Sequence, residues 1–460
     1  MIINKYLDEL NKSQREAVEN TDGALLVLAG AGTGKTKVLT SKIAHIISLG
    51  KANPSNILAV TFTNKAAREM KHRIGQSLGS MVEGMPWLGT FHSIGAKILR
   101  IHPELVGLKS DFTILDTDDQ LRLIKQIIKL ENIDDKRWAP KLLLSYINTF
   151  KNKGLMPTEI EYNQDFQFAD RKASDLYALY QNRLSILNSA DFGDLLLLSL
   201  NLLKNNADIL DRYQNIFSYI LVDEYQDTNV AQYLWLRLLS QKNYNIACVG
   251  DDDQSIYGWR GAEVDNILRF ESDYPGAKII RLEENYRSTQ KILGAASGII
   301  SYNKDRLGKT LIANIRDDGE DVHIRSVWDA ENEARLVTDE IESKQRKGAG
   351  LEDIAILVRA SFQMREFEDR FIISGIPYRV IGGPRFYERQ EIKDAISYIQ
   401  VVSNPNNDLK LERIINIPKR GIGNSTLQTL NKIARSNNIS LFLAAKQIIE
   451  TDEIRGQTKI

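Results

Sequence analysis

The segment Ala29-Gly30-Ala31-Gly32-Thr33-Gly34-Lys35-Thr36 carries the strongest chemical signal in the chain. Glycines at this spacing let backbone N–H groups turn inward around phosphates. A helix N-terminus just after them adds partial positive charge. Lys35 is then expected to reach the β- and γ-phosphates, and the Thr36 hydroxyl to bind Mg²⁺. A glycine-rich turn without ligand is the competing reading. The apolar run before the segment and the helical stretch after it favour phosphate binding. A second Gly-Lys-Thr, at 308–310, has Asn303 where the leading glycine would stand and no strand before it. It reads as a surface loop.

A second pattern is an apolar strand ending in two carboxylates, Ile220-Leu221-Val222-Asp223-Glu224. Beside a phosphate loop, a strand-end Asp holds the Mg²⁺ shell. The neighbouring Glu can then act as general base on the attacking water. Gly250-Asp251-Asp252-Asp253-Gln254 ends the next strand, where Gln254 is placed to sense the γ-phosphate. A solvated acidic loop is the alternative there. Three loops put aromatics beside polar residues at strand ends: Thr61-Phe62-Thr63-Asn64-Lys65, Gly89-Thr90-Phe91-His92-Ser93 and Ser255-Ile256-Tyr257-Gly258-Trp259-Arg260-Gly261. Exposed aromatic faces stack on unpaired bases, and Thr, Ser and Asn bind phosphates. Arg68, Lys71 and Arg73 add a basic stripe after Lys65. For any one of these aromatics, plain packing is the competing role.

These residues need a sheet to hold them. Five short apolar runs read as buried parallel strands: 24–29, 57–62, 219–222, 246–249 and 278–282. With helical crossovers they predict an α/β domain covered on both faces. Residues 1–16 read as one short helix, with Asn11 or Ser13 as cap. Residues 92–212 are rich in Leu, Ile, Lys and Asp at helical spacing and contain no strong strand, which predicts a helical insertion. Beyond 282 a second strand series is predicted at 322–325, 354–358 and 378–381, with helices at about 331–346 and 361–374. Helices follow from about 384.

The composition agrees with a soluble chain of about three domains at roughly 150 residues each. Of 460 residues, 43% are apolar and 26% charged, and 60 basic residues balance 60 acidic ones. One cysteine excludes a disulfide framework within the chain. Five scattered histidines give no metal-ligand spacing, so no structural metal is expected. No signal region or membrane span is visible, so a cytoplasmic protein is expected. A neutral balance requires only that any positive potential toward nucleic acid be local.

In this order, the motifs resemble the UvrD/Rep/PcrA family of superfamily 1A DNA helicases over essentially the whole chain. Leu10-Asn11 with Gln14 is similar to the adenine-reading motif, Gln14 meeting the base edge. Residues 29–36 resemble its phosphate loop, followed by Lys37 where many members carry Arg. Residues 61–67 and 89–93 resemble the two single-strand motifs, and Asp191-Phe192-Gly193-Asp194-Leu195 a further DNA-side motif. Residues 222–227 resemble the hydrolysis motif and 249–262 the coupling motif. Leu282-Glu283-Glu284-Asn285-Tyr286-Arg287-Ser288 resembles the opening of the second motor domain. The resemblance implies that Tyr286 stacks on adenine and that Arg287 is an arginine finger. Thr61, Phe62, Asn64, Thr90, Phe91, His92, Tyr257, Trp259, Arg260 and, more weakly, Arg359 would contact DNA. Gly382-Gly383, Phe386 and 389–394 resemble the stretch leading into a second insertion.

The implied fold is two RecA-like α/β motor domains, the second incomplete, each with a mostly helical inserted subdomain. The corresponding spans are 1–91 with 213–281, 92–212, 282–383 and 384–460. The implied activity is a 3′→5′ DNA helicase or single-strand translocase of repair or replication, using ATP and Mg²⁺. Its partners would be single-stranded DNA, single/double-strand junctions and repair proteins. Two late family motifs are missing before Ile460, so the chain is expected to be truncated. Two other readings stand beside this one: a helicase subunit of a recombination nuclease, as in AddA/RecB relatives, and a non-motor ATP- or DNA-binding module.

Overall fold

The computed structural model describes residues 5–161, 165–304, 306–315, 318–381, 389–437 and 439–448. Contacts divide the chain into two units, Met1–Val322 and His323–Ile460. In the first unit the strands, in chain order, are β1 (Leu25–Ala29), β2 (Ile57–Thr61), β3 (Leu88–Thr90), β4 (Thr113–Leu115), β5 (Gln167–Phe168), β6 (Arg171–Lys172), β7 (Ser189–Asp191), β8 (Tyr219–Val222), β9 (Ile246–Gly250), β10 (Lys278–Leu282), β11 (Glu284–Asn285) and β12 (Ile312–Ala313). Six of them form one parallel sheet in the order β10-β1-β9-β8-β2-β3.

Both faces of this sheet are buried, which is why its strands read as unbroken apolar runs. Alternate residues go to opposite sides. Leu25, Val27 and Ala29 pack on one face with Ala247 and Val249, under Val38, Leu39 and Ile43. Leu26 and Leu28 pack on the other with Ile246 and Cys248, under Phe91, Ile94, Ile98 and Trp235. The register sets Val27 opposite both Val249 and Ile280. The chain leaves β1 for β2 and β3 on one side and returns much later to fill β8, β9 and β10. Loops at the carboxyl ends therefore converge near β1, where ligands bind open sheets of this kind.

The first-unit helices begin with α1 (Lys5–Asp8) and α2 (Lys12–Glu19), then α3 (Lys35–Ser48), α4 (Asn64–Leu78) and α5 (Phe91–Ile101). The single helix expected over 1–16 is thus two. Asn11 breaks it by capping α2: its side chain accepts from the Gln14 amide, while Gln14 Oε1 accepts from the Asn11 amide. β3 is a sixth strand not expected from sequence. It has three residues at the sheet edge, too few for a periodicity signal.

The insertion is helical as expected: α6 (Thr117–Leu130), α7 (Pro140–Asn152), α8 (Ala173–Ile186), α9 (Phe192–Asn205) and α10 (Ala207–Ile216). It also holds a parallel pair, β4–β7, and a small antiparallel pair, β5–β6. α11 (Val230–Ser240) follows β8. Residues 283–322 belong to this same unit. There β11 pairs with β12, and Arg281 donates to the carbonyls of Leu307 and Gly308.

The second unit departs from expectation. Its helices at Ala330–Arg346 and Met364–Ser374 bury Ala334, Ile341, Phe367 and Phe371 against one another. The segments 322–325, 354–358 and 378–381, expected as strands, pair with no strand among the described residues. Residues 354–358 keep a strand's alternation: Ile354, Ile356 and Val358 pack on the helices, while Leu357 is 94% exposed. Alternation is a property of one segment, but a ladder needs a second segment about 4.8 Å away. The helices of 390–448 follow as expected. The stretch 382–388, with Gly382, Gly383 and Phe386, lies outside the described residues.

Phe91 tests the packing. Its ring is 2% exposed and meets Trp235 edge-on at 6.2 Å. Phe91→Ala should lower unfolding free energy by about 3–5 kcal/mol in urea titrations.

Candidate nucleotide site and single-strand interface

The turn between β1 and α3 is built to leave amides free. Ala29 ends β1 in the core. Thr33 closes the turn, its hydroxyl donating to the Gly30 carbonyl at 2.8 Å. Gly32 and Gly34 have φ of +72° and +89°, the left-handed region open to glycine. Gly34 caps α3 without any side-chain hydrogen bond, so no side chain fills the place a phosphate would take at the first amides. A Cβ on Gly32 would lie 2.6 Å from Arg287 Cβ, and one on Gly34 would lie 2.7 Å from Gln14 Nε2.

Gln14 is buried beneath this turn and donates to the Thr33 carbonyl at 2.9 Å. With Oε1 held by Asn11, Gln14 has one N–H left for a base. Asn11 also donates to the Tyr286 hydroxyl at 2.8 Å. The exposed Tyr286 ring and Gln14 thus share one corner of the site. Lys37 is turned away, donating to the Glu9 carbonyl at 2.8 Å. Asn285 fixes the stretch that carries Tyr286 and Arg287. Its amide donates to the Ala31 carbonyl, while its Oδ1 accepts from the amides of Arg287 and Ser288. The Tyr286 amide donates to the Gly32 carbonyl at 2.9 Å.

The carboxylates arrive from β8, separated from β1 by β9 alone. Lys35 Nζ lies 2.9 Å from Glu224 Oε2. Glu224 has φ of +50°, uncommon for a residue with a Cβ, and this aims its carboxylate back toward the turn. Asp223 is buried, and burial together with the neighbouring Glu224 charge pushes its carboxyl up to about 6. Asp227 is likewise pushed up to about 6 by burial, and its Oδ1 is buried without a hydrogen-bond partner. Buried carboxylates flanking Glu224, which pairs with Lys35 of the turn, fit a divalent cation carried with a phosphate.

Sequence missed the support behind this pair. Gln226 donates to Glu224 Oε2 at 2.9 Å and accepts from the Asp251 amide at 2.9 Å. Gln254 donates to Asp251 Oδ2 rather than lying in a free acidic loop. The 308–310 segment is the expected loop, with Gly308 and Thr310 exposed, but the Lys309 side chain turns inward. The Lys309 side chain is 3% exposed, with Nζ within 2.6–2.8 Å of Asp251, Asp252 and Asp253. The run of three aspartates was the available signal; nothing in their spacing pointed to residue 309.

The aromatic loops separate into core and surface. Trp259 is 73% exposed with the Arg260 guanidinium 4.6 Å over its ring. Tyr257 meets half-buried Phe62 at 4.9 Å, and Asn64 is exposed at the start of α4. His92 lies 5.7 Å from exposed Phe192, and burial lowers its pKa, favouring a neutral ring. Phe91, expected to contact DNA, is instead a core residue unavailable for stacking. Thr61 and Thr90 are buried too: Thr61 donates to the Thr63 carbonyl, and Thr90 caps α5. Asp191 and Asp194, in the further DNA-side motif, are buried against Lys151 at 2.7 and 2.8 Å. The basic stripe is partly neutralised, Arg73 by Glu69 and Lys71 by Glu83. Arg359 lies in the second unit, exposed.

Asp223 gives a pH-dependent prediction. A carboxyl raised in the fold costs stability when ionised. The cost is full above about 6 and is relieved as pH falls toward the unfolded value. In metal-free protein at pH 8, Asp223→Asn should add at most about 3 kcal/mol of stability. Calorimetry in chelator should show a higher melting temperature at pH 8, with the gain vanishing near pH 4.

Comparison with known proteins bears on what the site belongs to. Residues 10–275 match the UvrD/REP helicase N-terminal domain, and residues 280–455 match the UvrD-like helicase C-terminal domain. The chain is 52% identical to the probable DNA helicase II homolog of Rickettsia conorii, over 98% of this chain and 69% of that protein. It is 45% identical to DNA helicase II of Escherichia coli, over 99% of this chain and 63% of that protein. It is also 45% identical to the ATP-dependent DNA helicase PcrA of Staphylococcus aureus, over 96% and 60%. Both domain models are met, and the chain spans about 60–69% of the length of these relatives. The match over residues 10–275 and the identity across nearly the whole chain show that it belongs to the UvrD/REP helicase family.

Proposed function

We propose that the chain is an ATP-driven motor that moves 3′→5′ along single-stranded DNA, in DNA repair or replication in the cytoplasm. The observation that carries this reading is the Lys35–Glu224 pair, held between the phosphate turn and the loop that bears Trp259. The polarity and the setting rest on the family resemblance. The proposed spans are a first motor domain at 1–91 and 213–281, an insertion at 92–212, a second motor domain at 282–383 and a second insertion from 384.

The amides of 30–34 bind the phosphates. An incoming γ-phosphate competes with Glu224 for Lys35. Once Lys35 turns to the phosphate, the Glu224 carboxylate is free to take a proton from water. Thr36 and Asp223 would hold Mg²⁺, which supplies positive charge to the phosphate oxygens. The water oxygen bonds to the γ-phosphorus, its proton goes to Glu224, and the bond to the ADP oxygen breaks. Arg287 offsets charge developing on the transferred group; such a residue is worth roughly 10³–10⁵ in rate. Gln14 and Tyr286 hold the base. Gln254 shares a loop with Tyr257, Trp259 and Arg260, so γ-phosphate loss is felt where bases stack. His92, Phe62 and Asn64 extend that surface.

ATP hydrolysis with and without single-stranded DNA tests this directly, and stimulation by DNA is expected. Glu224→Gln should abolish turnover while ATP still binds. Trp259→Ala should weaken single-strand affinity by about 1–3 kcal/mol, read by fluorescence anisotropy. Displacement of streptavidin from the 5′ end of an oligonucleotide, but not from the 3′ end, is the expected polarity.

A further inference from the structure

Lys309 is a buried cation that the hydrolytic mechanism above does not use. Its ammonium has three N–H donors, and three carboxylates surround it: Asp251 at 2.6 Å, Asp252 at 2.7 Å and Asp253 at 2.8 Å. The ligand atoms of these aspartates lie within 4.8 Å of one another, a spacing that suits a metal ion. Lys309 Nζ already stands among them, so the cluster is an ion-paired lock rather than a metal site. Arg306 grips Asp253 with two parallel bonds of 2.7 Å, and the Leu307 amide donates to Asp252 at 2.9 Å. The segment 306–309 thus clasps every carboxylate of the turn before Gln254.

The clasp continues inward without a break. Asp251 Oδ2 accepts from Gln254, and the Asp251 amide donates to Gln226, which donates to Glu224. Gly250 permits this approach, since a Cβ there would lie 2.9 Å from Gln226 Oε1. The same segment reaches the phosphate turn from its other end. Leu311 lies where a Cβ on Gly30 would come within 2.4 Å of it. One stretch, 306–311, therefore touches both the phosphate turn and the γ-phosphate-sensing turn.

We infer that Lys309, assisted by Arg306, is a positioning residue that holds the Asp251–Gln254 turn in register with Glu224, so that nucleotide state is transmitted to the Tyr257–Arg260 surface. This rests on the motor reading above. Removing the ammonium leaves the buried Asp251 and Asp252 side chains without a cation beside Asp253, which keeps only Arg306, and the like charges drive the turn apart.

The test uses the full chain with Lys309→Met, and with Arg306→Gln as the milder change at a partly exposed site. Backbone amide exchange at 251–261 should rise at least tenfold in Lys309→Met and about threefold in Arg306→Gln, with β1 and α3 unchanged. DNA-stimulated kcat should fall at least tenfold in Lys309→Met while KM for ATP stays within threefold. A purely structural Lys309 would raise exchange throughout the sheet and lower the fraction of ATP-binding protein, with kcat per bound site intact. That result overturns the inference, as does unchanged exchange at 251–261. Should the unmodified chain hydrolyse no ATP, the motor reading fails and the exchange measurement alone decides the role of Lys309. Should Lys309→Met not fold, exchange in Arg306→Gln decides it.

Discussion

Backbone amides that are to bind phosphate must be left without partners by the rest of the protein, and much of this architecture follows from meeting that condition safely. An isolated turn of free amides would collapse onto water or onto its own carbonyls. Here a five-residue buried strand delivers the turn, a helix begins without a side-chain cap, and two left-handed glycines aim the N–H groups the same way. Gln14, Asn285 and the Tyr286 amide hold the turn's carbonyls from outside, at Thr33, Ala31 and Gly32. The carbonyl side is satisfied, and no side chain covers the amides at the start of α3.

The charges obey the same logic. Lys35 beside an open phosphate turn needs a counter-ion, and Glu224 provides one at 2.9 Å. In the proposed mechanism that carboxylate is the group which later accepts a proton, so the resting pair and the reacting pair share a member. Behind it, Gln226 and Asp251 extend the hydrogen bonds to a turn that would repel itself but for Lys309 and Arg306. Low dielectric strengthens each of these bonds and makes any unpaired member costly.

Much of this was legible in the residues. Buried parallel strands announce themselves as apolar runs, and a phosphate turn needs its glycines in fixed places. Asp223-Glu224 ends such a run, so its position at the carboxyl end of the sheet followed. What sequence could not supply was partnership at long range. Lys309 is 56 residues or more from the aspartates it neutralises, and a Gly-Lys-Thr there looks like loop. Phe91 has the composition of a stacking residue, but the start of α5 turns it into the core, while Trp259 stays out. Residues 354–358 have a strand's residues and alternation. Alternation reports burial of one face, not the presence of a neighbour.

The order of strands also has a consequence for how the chain is made. β1 is among the first elements to leave the ribosome, yet its two neighbours in the sheet are β9 and β10, whose paired residues lie more than 220 positions later. At about 5–20 residues per second, that interval is on the order of 10–50 s of synthesis. Throughout it, a five-residue apolar strand has both edges unpaired. The helical insertion occupies much of the delay and finds its own partners within it, β4 pairing with β7. The phosphate turn, though encoded near the start, is among the last features of its unit to be completed.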